Sequence, residues 1–296
     1  LVDNHDALDA IFKESPVTIV THCEDTPIIH ENETKFYKKY GDNLDATFHP
    51  LIRSREACLK SSTLAHNLAT KHGSSLHILH LTTQDELSLF KSGDLSEKNI
   101  TAEVCVHHLF FDESAYPEKG NFIKCNPSIK TSEDRLSLIE ALKDDRLDII
   151  ATDHAPHTLD SKAIGYPKAP AGMPGVETSL PLMLTHAADG KCSVSDVVKW
   201  MCAGPAKVYG MEKKGALIEG YDGDVTLVDL DTRRTITDDD VWTKVGWTPY
   251  AGMELTGLPM WTIVDGIPVH RRIPNGPFRG EPLAQPGQTG RVLRFS

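Results

Sequence analysis

Short apolar runs alternate with helix-like stretches through about residue 210 of the chain. The runs are brief and rich in β-branched residues, so each one predicts a buried strand. We expect four such strands, in residues 16–25, 76–83, 100–108 and 149–157. Strands that alternate with helices in this way form parallel sheets covered by helices, so the pattern predicts an α/β fold.

The segments between the strands carry helical signals. We expect a helix over residues 6–13 and a longer one over residues 52–72, which Gly73 would end. Thr131, with Asp134 three residues later, predicts the N-cap of a further helix. The remaining expectations are a polar stretch at 32–45, a polar helix at 84–91, a strand-like entry to a loop at 122–126, and an inward face formed by Leu136, Ile139 and Leu142.

The pattern changes after Gly215, where short strand-like runs are bounded by glycines. We therefore expect a separate β-rich unit in this part of the chain. The predicted organisation is a sheet-and-helix domain over residues 1–210, a β-forming segment over 211–275, and a Pro- and Gly-rich loop or disordered tail over 276–296.

Composition narrows the range of partners. The 296 residues are 40% hydrophobic, which is enough for a sizeable core. The net charge of -11 and the pI near 5.7 disfavour nucleic acid and anionic membrane as partners, because both attract clustered Lys and Arg. No apolar run is long enough to span a bilayer. We expect a small-molecule substrate, and a homodimer stays an open alternative.

Six cysteines are scattered along the chain without a CxxC pair. Cys23, Cys105 and Cys125 lie in or beside predicted strands, which is typical of buried thiols in a reducing compartment. We therefore expect a cytoplasmic protein. The chain has no initiator Met and leads almost directly into a helix, so we also expect it to be N-terminally truncated.

Polar residues with metal-binding chemistry stand at three of the predicted strand ends. His22, His80 and Asp153 each close an apolar run. In parallel α/β proteins such positions face the ligand site. A single histidine of this kind is more often structural, but three strand ends together favour a metal site, with Asp153 as the first candidate for a catalytic group.

Four motifs follow one another along nearly the whole chain: THCED, LHILHLTT, KCNPSIKT and ATDHAPHT. In this order they resemble the dihydroorotases of the cyclic amidohydrolase family, and TDHAPH is the most specific element. The resemblance implies the C-terminal half of a (β/α)8 TIM-type barrel, strands five to eight, plus part of a small β-sandwich. Four strands cannot close a barrel. The resemblance places an HxH pair, a bridging carboxylated Lys or Asp and a substrate-binding Arg in the missing half.

The resemblance also implies a reaction. Dihydroorotases interconvert N-carbamoyl-L-aspartate and L-dihydroorotate reversibly in de novo pyrimidine biosynthesis, through attack of a metal-bridged hydroxide on a cyclic amide. By this resemblance His22, His80 and Asp153 would hold metal in a binuclear zinc centre, and Asp153 would also carry the proton to the leaving nitrogen.

Three further residues match positions that contact the substrate in the family. Asn126 and His157 would bind the substrate α-carboxylate, and Gly172 would offer backbone hydrogen bonds. Many relatives have NPPLR where this chain has NPSIK, which we regard as a mild departure. We expect His77 to be structural, and His107 and His108 to pack in the core or to support the metal ligands. His154 should point away from Asp153. Glu24 and Asp25 receive no catalytic assignment.

Two alternatives stay open at this point. An allantoinase or dihydropyrimidinase-like amidohydrolase would share the fold and the metal chemistry. A non-catalytic dihydroorotase-like chain that acts as a scaffold is the alternative from a different class. The presence of His22, His80 and Asp153 counts against the scaffold.

Overall fold

The computed structural model describes residues 2, 4–273, 276, 278–284, 290 and 293–295. Contacts between residues divide the chain into two compact units, Leu1–Met173 and Pro174–Ser296. This division lies earlier in the chain than the domain boundary predicted at residue 210. The reason is that helix Val176–Ala188 packs on a strand of the second unit, where Thr185 Oγ1 accepts from the Thr256 N–H at 2.9 Å.

The first unit is built on a four-stranded parallel sheet. Its strands are β1 (Ile19–Thr21), β2 (Leu76–Ile78), β3 (Ile100–Cys105) and β4 (Ile149–Ala151), in the order β1-β2-β3-β4. Each strand pairs in parallel with the next one along the chain. The predicted parallel α/β arrangement is therefore confirmed.

Eight helices of the first unit lie among the described residues: α1 (His5–Glu14), α2 (Thr26–Tyr40), α3 (His49–Ile52), α4 (Arg55–His72), α5 (Val106–Phe110), α6 (Tyr116–Lys119), α7 (Ser132–Lys143) and α8 (Leu159–Ala163). Short 3-10 turns occupy Gly41–Asn43, Ala46–Phe48, Asp85–Leu89, Leu95–Glu97, Glu113–Ala115 and Gly120–Ile123.

Local capping explains where several helices begin and end. Gly73 ends α4 in a left-handed conformation with φ of 69°, as predicted. Thr131 and Asp134 form a reciprocal capping box at the start of α7, which confirms the predicted N-cap. Asp25, which had no assigned role, accepts from the Ile28 N–H at 3.0 Å and caps α2.

The sequence-based expectations were wrong at several places. The polar stretch at 32–45 belongs largely to helix α2. Strand β3 ends at Cys105, so His107 and His108 lie in the short helix α5. The segments at 84–91 and 122–126 contain 3-10 turns, and Leu136, expected to face inward, is 56% exposed, whereas Ile139 and Leu142 are buried.

The second unit contains an antiparallel sheet. Its strands are β5 (Val225–Thr235), β6 (Glu254–Val264), β7 (Ile267–Arg271) and β8 (Glu281–Pro282), in the order β5-β6-β7-β8. This sheet agrees with the expected separate β unit. The unit also contains α9 (Val176–Ala188), α10 (Val194–Val198), a π-helical segment Lys199–Ala203, α11 (Gly204–Val208) and a 3-10 turn Asp238–Asp240.

The expected tail is partly ordered. Strand β8 lies within residues 276–296 and pairs with β7, where Pro282 faces His270. The prediction of a structureless tail is therefore wrong at this strand. Residues 274 and 275 of the expected β segment, and residues 277, 285–289, 291, 292 and 296 of the tail, lie outside the described residues. In the described part of the chain, no helix combines the length and the apolar character needed to cross a membrane.

Candidate active site

Three candidate ligands lie at one edge of the parallel sheet. His22 directly follows β1, His80 lies two residues beyond β2, and Asp153 lies two residues beyond β4. Because all four strands run in the same direction, these positions share the carboxyl-terminal edge. Ligand sites of parallel α/β proteins form at this edge.

The two histidines meet through their ring nitrogens. His22 Nδ1 lies 3.0 Å from His80 Nε2, and the rings are nearly perpendicular, at 78°. Two imidazole nitrogens bound to one tetrahedral zinc, at bond lengths of about 2.0–2.1 Å, lie roughly 3.3 Å apart. The spacing of the two rings therefore fits a shared metal ion after a movement of a few tenths of an ångström.

A carboxylate holds the other side of His22, and a guanidinium holds that carboxylate. Glu24 Oε2 lies 3.0 Å from His22 Nε2 and also accepts from Arg53 Nη1. Burial raises the pKa of Glu24, but the hydrogen bond with His22 and the positive charge of Arg53 outweigh it, so that the pKa lies below its usual value. An ionised Glu24 places the proton of His22 on Nε2 and leaves the Nδ1 lone pair facing His80.

His80 is the more buried of the two rings, at 6% exposed. Burial lowers its pKa, the neighbouring His22 lowers it further, and the charge of Asp153 opposes the shift. A neutral imidazole is the form that binds metal. Its Nδ1 is buried and has no hydrogen-bond partner among the described residues.

Backbone conformation marks two of the three candidates. His80 and Asp153 have positive φ angles of 38° and 43°. Non-glycine residues rarely adopt this left-handed conformation, and such strain concentrates at functional sites. The Asp153 side chain is exposed, so its carboxylate is accessible to a ligand.

His157 and Gly172 lie against each other. Gly172 has φ of 122°, and a Cβ there would lie 2.6 Å from the Ala155 oxygen and 3.3 Å from His157 Nε2. Only glycine fits this close approach. His157 Nε2 lies 3.0 Å from the Ala171 oxygen and donates to it.

Two buried lysines organise the loop that carries Gly172. Lys162 Nζ donates to the carbonyl oxygens of Gly172 and Pro170 at 2.8 and 2.9 Å. Lys124 Nζ donates to the Ala169 oxygen at 2.5 Å, and the Gly172 N–H donates to the Lys124 oxygen at 2.8 Å. The Gly172 N–H already donates to Lys124, and the Gly172 carbonyl oxygen already accepts one hydrogen bond from Lys162. The second lone pair of this carbonyl oxygen is therefore the backbone acceptor that Gly172 could still offer to a ligand.

Asn126 lies two residues after Lys124, whose carbonyl oxygen accepts from the Gly172 N–H. Its peptide bond to Pro127 is cis, and its Oδ1 lies 3.1 Å from His49 Nε2. Gly172 thus hydrogen-bonds to Lys124, two residues before Asn126, and lies so near His157 that an added Cβ would be 3.3 Å from its Nε2. The three residues matched to the substrate carboxylate and ring therefore lie on two loops of the first unit, which the Gly172–Lys124 hydrogen bond joins.

A second group of side chains whose chemistry could hold a metal ion lies at the end of β3 and in α5. Within the described residues, one ligand atom from each of Cys105, His107 and His108 lies within 4.8 Å of the others, and all three are buried. Burial raises the pKa of Cys105 and lowers that of His107 to about 3. These residues are buried as neutral groups, in line with the packing role expected for the two histidines.

A parallel sheet with imidazole and carboxylate groups at the carboxyl ends of its strands is typical of metal-assisted hydrolases. The chain belongs to the amidohydrolase family, whose model matches residues 4–266.

Curated relatives named dihydroorotase cover most of this chain. The protein from Methanothermobacter thermautotrophicus is 34% identical over 89% of this chain and 60% of its own length. The protein from Halobacterium salinarum is 35% identical over 86% of this chain and 57% of its own length. The chain thus spans about 60% of the length of these relatives.

Solved structures share the fold. L-hydantoinase (dihydropyrimidinase) from Arthrobacter aurescens matches with a TM-score of 0.87 and 27% identity, over 95% of this chain and 62% of its own. The dihydropyrimidinase from Brevibacillus agri NCHU1002 matches with a TM-score of 0.83 and 21% identity, over 97% and 66%. The α/β fold of this chain, with its additional β-sheet, is therefore similar to that of amidohydrolase barrel proteins.

The sequence did not predict the residues that hold the candidate site in place. Glu24 was noticed without a role, and Arg53, His49 and Lys162 were not singled out. The THCED motif offered one signal, because Glu24 follows His22 by two residues. Arg53 lies 29 residues from Glu24 in the sequence, and His49 lies 77 residues from Asn126. No local sequence pattern encodes such distant contacts.

Proposed function

We propose that the chain is the metal-binding and proton-transferring part of a cyclic amide hydrolase of dihydroorotase type. The observation that carries the proposal is the contact of His22 Nδ1 with His80 Nε2 at 3.0 Å, with His22 fixed from behind by Glu24. Curated relatives named dihydroorotase, at 34% and 35% identity, support this activity over that of the structural neighbours.

The chain's own residues divide the work. His22, His80 and Asp153 would hold zinc, for which imidazole and carboxylate are suitable ligands. The zinc centre, binuclear in this proposal, would supply Lewis acidity toward the amide carbonyl and toward water. Asp153 would accept a proton from the attacking water and return it to the leaving ring nitrogen.

Substrate recognition would fall to Asn126, His157 and Gly172. Asn126 would donate to the substrate α-carboxylate through its amide N–H groups. His157 would exchange its hydrogen bond with the Ala171 oxygen for one to the same carboxylate. The Gly172 carbonyl would accept from a ring N–H through its second lone pair.

We further propose that the parallel sheet is strands five to eight of a (β/α)8 barrel, with residues 1–210 in the barrel and 211–275 in a small β-sandwich. Two observations support it. The described sheet has two outer strands, β1 and β4, and a closed barrel has none. The chain also spans only about 60% of the length of its dihydroorotase relatives.

The test compares three cyclic amides with the protein translated from the complete reading frame and loaded with zinc. Ring opening of dihydroorotate, dihydrouracil and allantoin is followed under identical conditions. The proposal predicts that kcat/KM is highest for dihydroorotate. Preference for dihydrouracil or allantoin would favour a dihydropyrimidinase or allantoinase, and no turnover of any of the three with zinc bound would favour a scaffold.

A further inference from the structure

His49 is a buried histidine that lies next to the proposed substrate site and has no role in the chemistry above. It is 3% exposed and begins α3. Its Nε2 lies 2.9 Å from the Cys125 carbonyl oxygen and 3.1 Å from Asn126 Oδ1. Both neighbours are acceptors, so Nε2 must carry the proton.

The other ring nitrogen is defined by the same reasoning. With the proton on Nε2, His49 Nδ1 is an acceptor, and the Tyr166 hydroxyl lies 3.3 Å away and donates to it. Burial lowers the pKa of His49 to about 3, so the ring stays neutral at ordinary pH. One tautomer of His49 is therefore fixed from both sides.

This tautomer decides which end of the Asn126 amide is left for a ligand. The oxygen Oδ1 is engaged by the His49 N–H, and Nδ2 makes no hydrogen bond within the described part of the chain. Nδ2 offers two N–H donors, which suit a carboxylate, whereas an amide turned the other way would present an oxygen to it. Hydrogen bonds to a charged group are among the stronger ones in proteins.

We propose that His49 is a positioning residue that locks the Asn126 amide as a donor and thereby makes the site select rings that carry a carboxylate. The inference rests on the proposed function, because it assumes that Asn126 contacts the substrate carboxylate. His49, which lies 77 positions away from Asn126 in the sequence, would then help to determine which substrate ring the site binds.

The experiment uses the zinc-loaded full-length protein and two unreactive planar rings, orotate and uracil, which differ in the carboxylate. Calorimetry gives the Kd of each ring, and steady-state kinetics give KM and kcat for dihydroorotate. For His49→Phe we expect the Kd of orotate and the KM of dihydroorotate to rise about 10–100-fold, because the charge-assisted hydrogen bond is lost. Uracil binding, kcat and zinc content should change little.

Two further variants separate orientation from packing. His49→Gln restores an N–H donor and should recover part of the orotate affinity. Tyr166→Phe keeps the imidazole but removes the donor to Nδ1, and should weaken orotate binding by a smaller factor. His66→Phe removes a histidine from helix α4 of the same unit and serves as the matched control, with the Kd of orotate unchanged.

Each outcome has a distinct meaning. Unchanged orotate binding in both His49→Phe and Tyr166→Phe would overturn the inference, as would an equal loss of orotate and uracil binding. If the wild-type protein opens no dihydroorotate, the proposed function itself fails. If wild type opens dihydroorotate but the variants keep its KM, only the role of His49 fails.

Discussion

At the scale of single residues, His22 is constrained on both ring nitrogens. Glu24 engages Nε2, and Nδ1 faces His80. A carboxylate behind a ligating histidine fixes the ring orientation and raises the basicity of the nitrogen that binds metal. Glu24 is in turn held by Arg53, so the position of His22, the first proposed ligand, depends on an ion pair in which Glu24 is buried.

This arrangement predicts that Glu24→Gln lowers zinc affinity about 10–100-fold. The amide keeps the shape but loses the charge that fixes the His22 proton and pairs with Arg53. Competition with a chelating dye would measure the change. Glu33→Gln is the matched control, because Glu33 also contacts a histidine, His30, but at an exposed position.

An affinity of Glu24→Gln equal to that of wild type would contradict the supporting role of Glu24. A loss of the same size in Glu33→Gln would assign the effect to surface charge instead of the ion pair behind His22.

The substrate residues are predicted to act on KM and not on metal. Asn126→Ala and His157→Ala should each raise the KM for dihydroorotate by at least about tenfold, because each removes a contact made by the substrate carboxylate. Zinc content should stay at the wild-type level. If both variants keep the wild-type KM, the match to the family's substrate positions is misleading.

Sequence alone indicated His22, His80 and Asp153 because each follows an apolar run that forms a strand. It could not indicate Arg53 or His49, since their partners are distant in the chain and only the fold brings them together. The positive φ angles of His80 and Asp153 were equally hidden, because only a small fraction of non-glycine residues adopts this conformation and the sequence does not mark which ones do.

At the scale of elements, the strong signals were strands and caps. The four short β-branched runs form strands, but β1, β2 and β4 are each only three residues long and thus shorter than predicted, whereas the Thr131–Asp134 capping box appears as predicted. Helix α2 was missed because its sequence is polar and buries only Ile29 among its residues, so no apolar period is visible. Leu136 was misplaced because tertiary packing, not spacing alone, decides which side of α7 faces the core.

The capping box gives a prediction at this scale. Thr131→Ala should destabilise the protein by about 1 kcal/mol, since it removes the side-chain acceptor of the Asp134 N–H at the start of α7. Chemical denaturation would show the change. Ser132→Ala, one residue later at an exposed position, is the control and should change the free energy of unfolding by less than about half as much. Equal effects would mean that the cap contributes nothing specific.

At the scale of the whole molecule, the open edges of the parallel sheet matter most. Val17 and Val20, before and within the outer strand β1, are 69% and 44% exposed. Exposed apolar strands at a sheet edge pair with other chains unless something covers them. In the proposed barrel, strands from the other half would cover this edge and the edge at β4.

The half-barrel proposal therefore predicts that residues 1–296 expressed by themselves aggregate or form a molten state without ring-opening activity. Each buried aliphatic side chain that loses its packing partners forfeits on the order of 1.5–3 kcal/mol, and net domain stability is only about 5–15 kcal/mol. Solubility, near-ultraviolet circular dichroism and a denaturation curve would be measured. A soluble fragment that unfolds cooperatively and opens dihydroorotate would contradict the proposal.

The resemblance read from four motifs predicted the family over nearly the whole chain, and the family model over residues 4–266 agrees. The division into units was harder to predict. Helix α9 packs on the antiparallel sheet of the second unit, although its sequence continues the strand-and-helix alternation of the first.

We propose that Asp153 moves the proton during ring opening at a metal site shared with His22 and His80. The most direct measurement is the turnover of dihydroorotate by full-length Asp153→Asn at matched zinc content. We expect kcat to fall at least about 100-fold in both directions of the reaction, with the thermal unfolding midpoint retained, because an amide keeps the shape of the carboxylate but cannot carry the proton. A kcat within about tenfold of wild type would contradict the proposal.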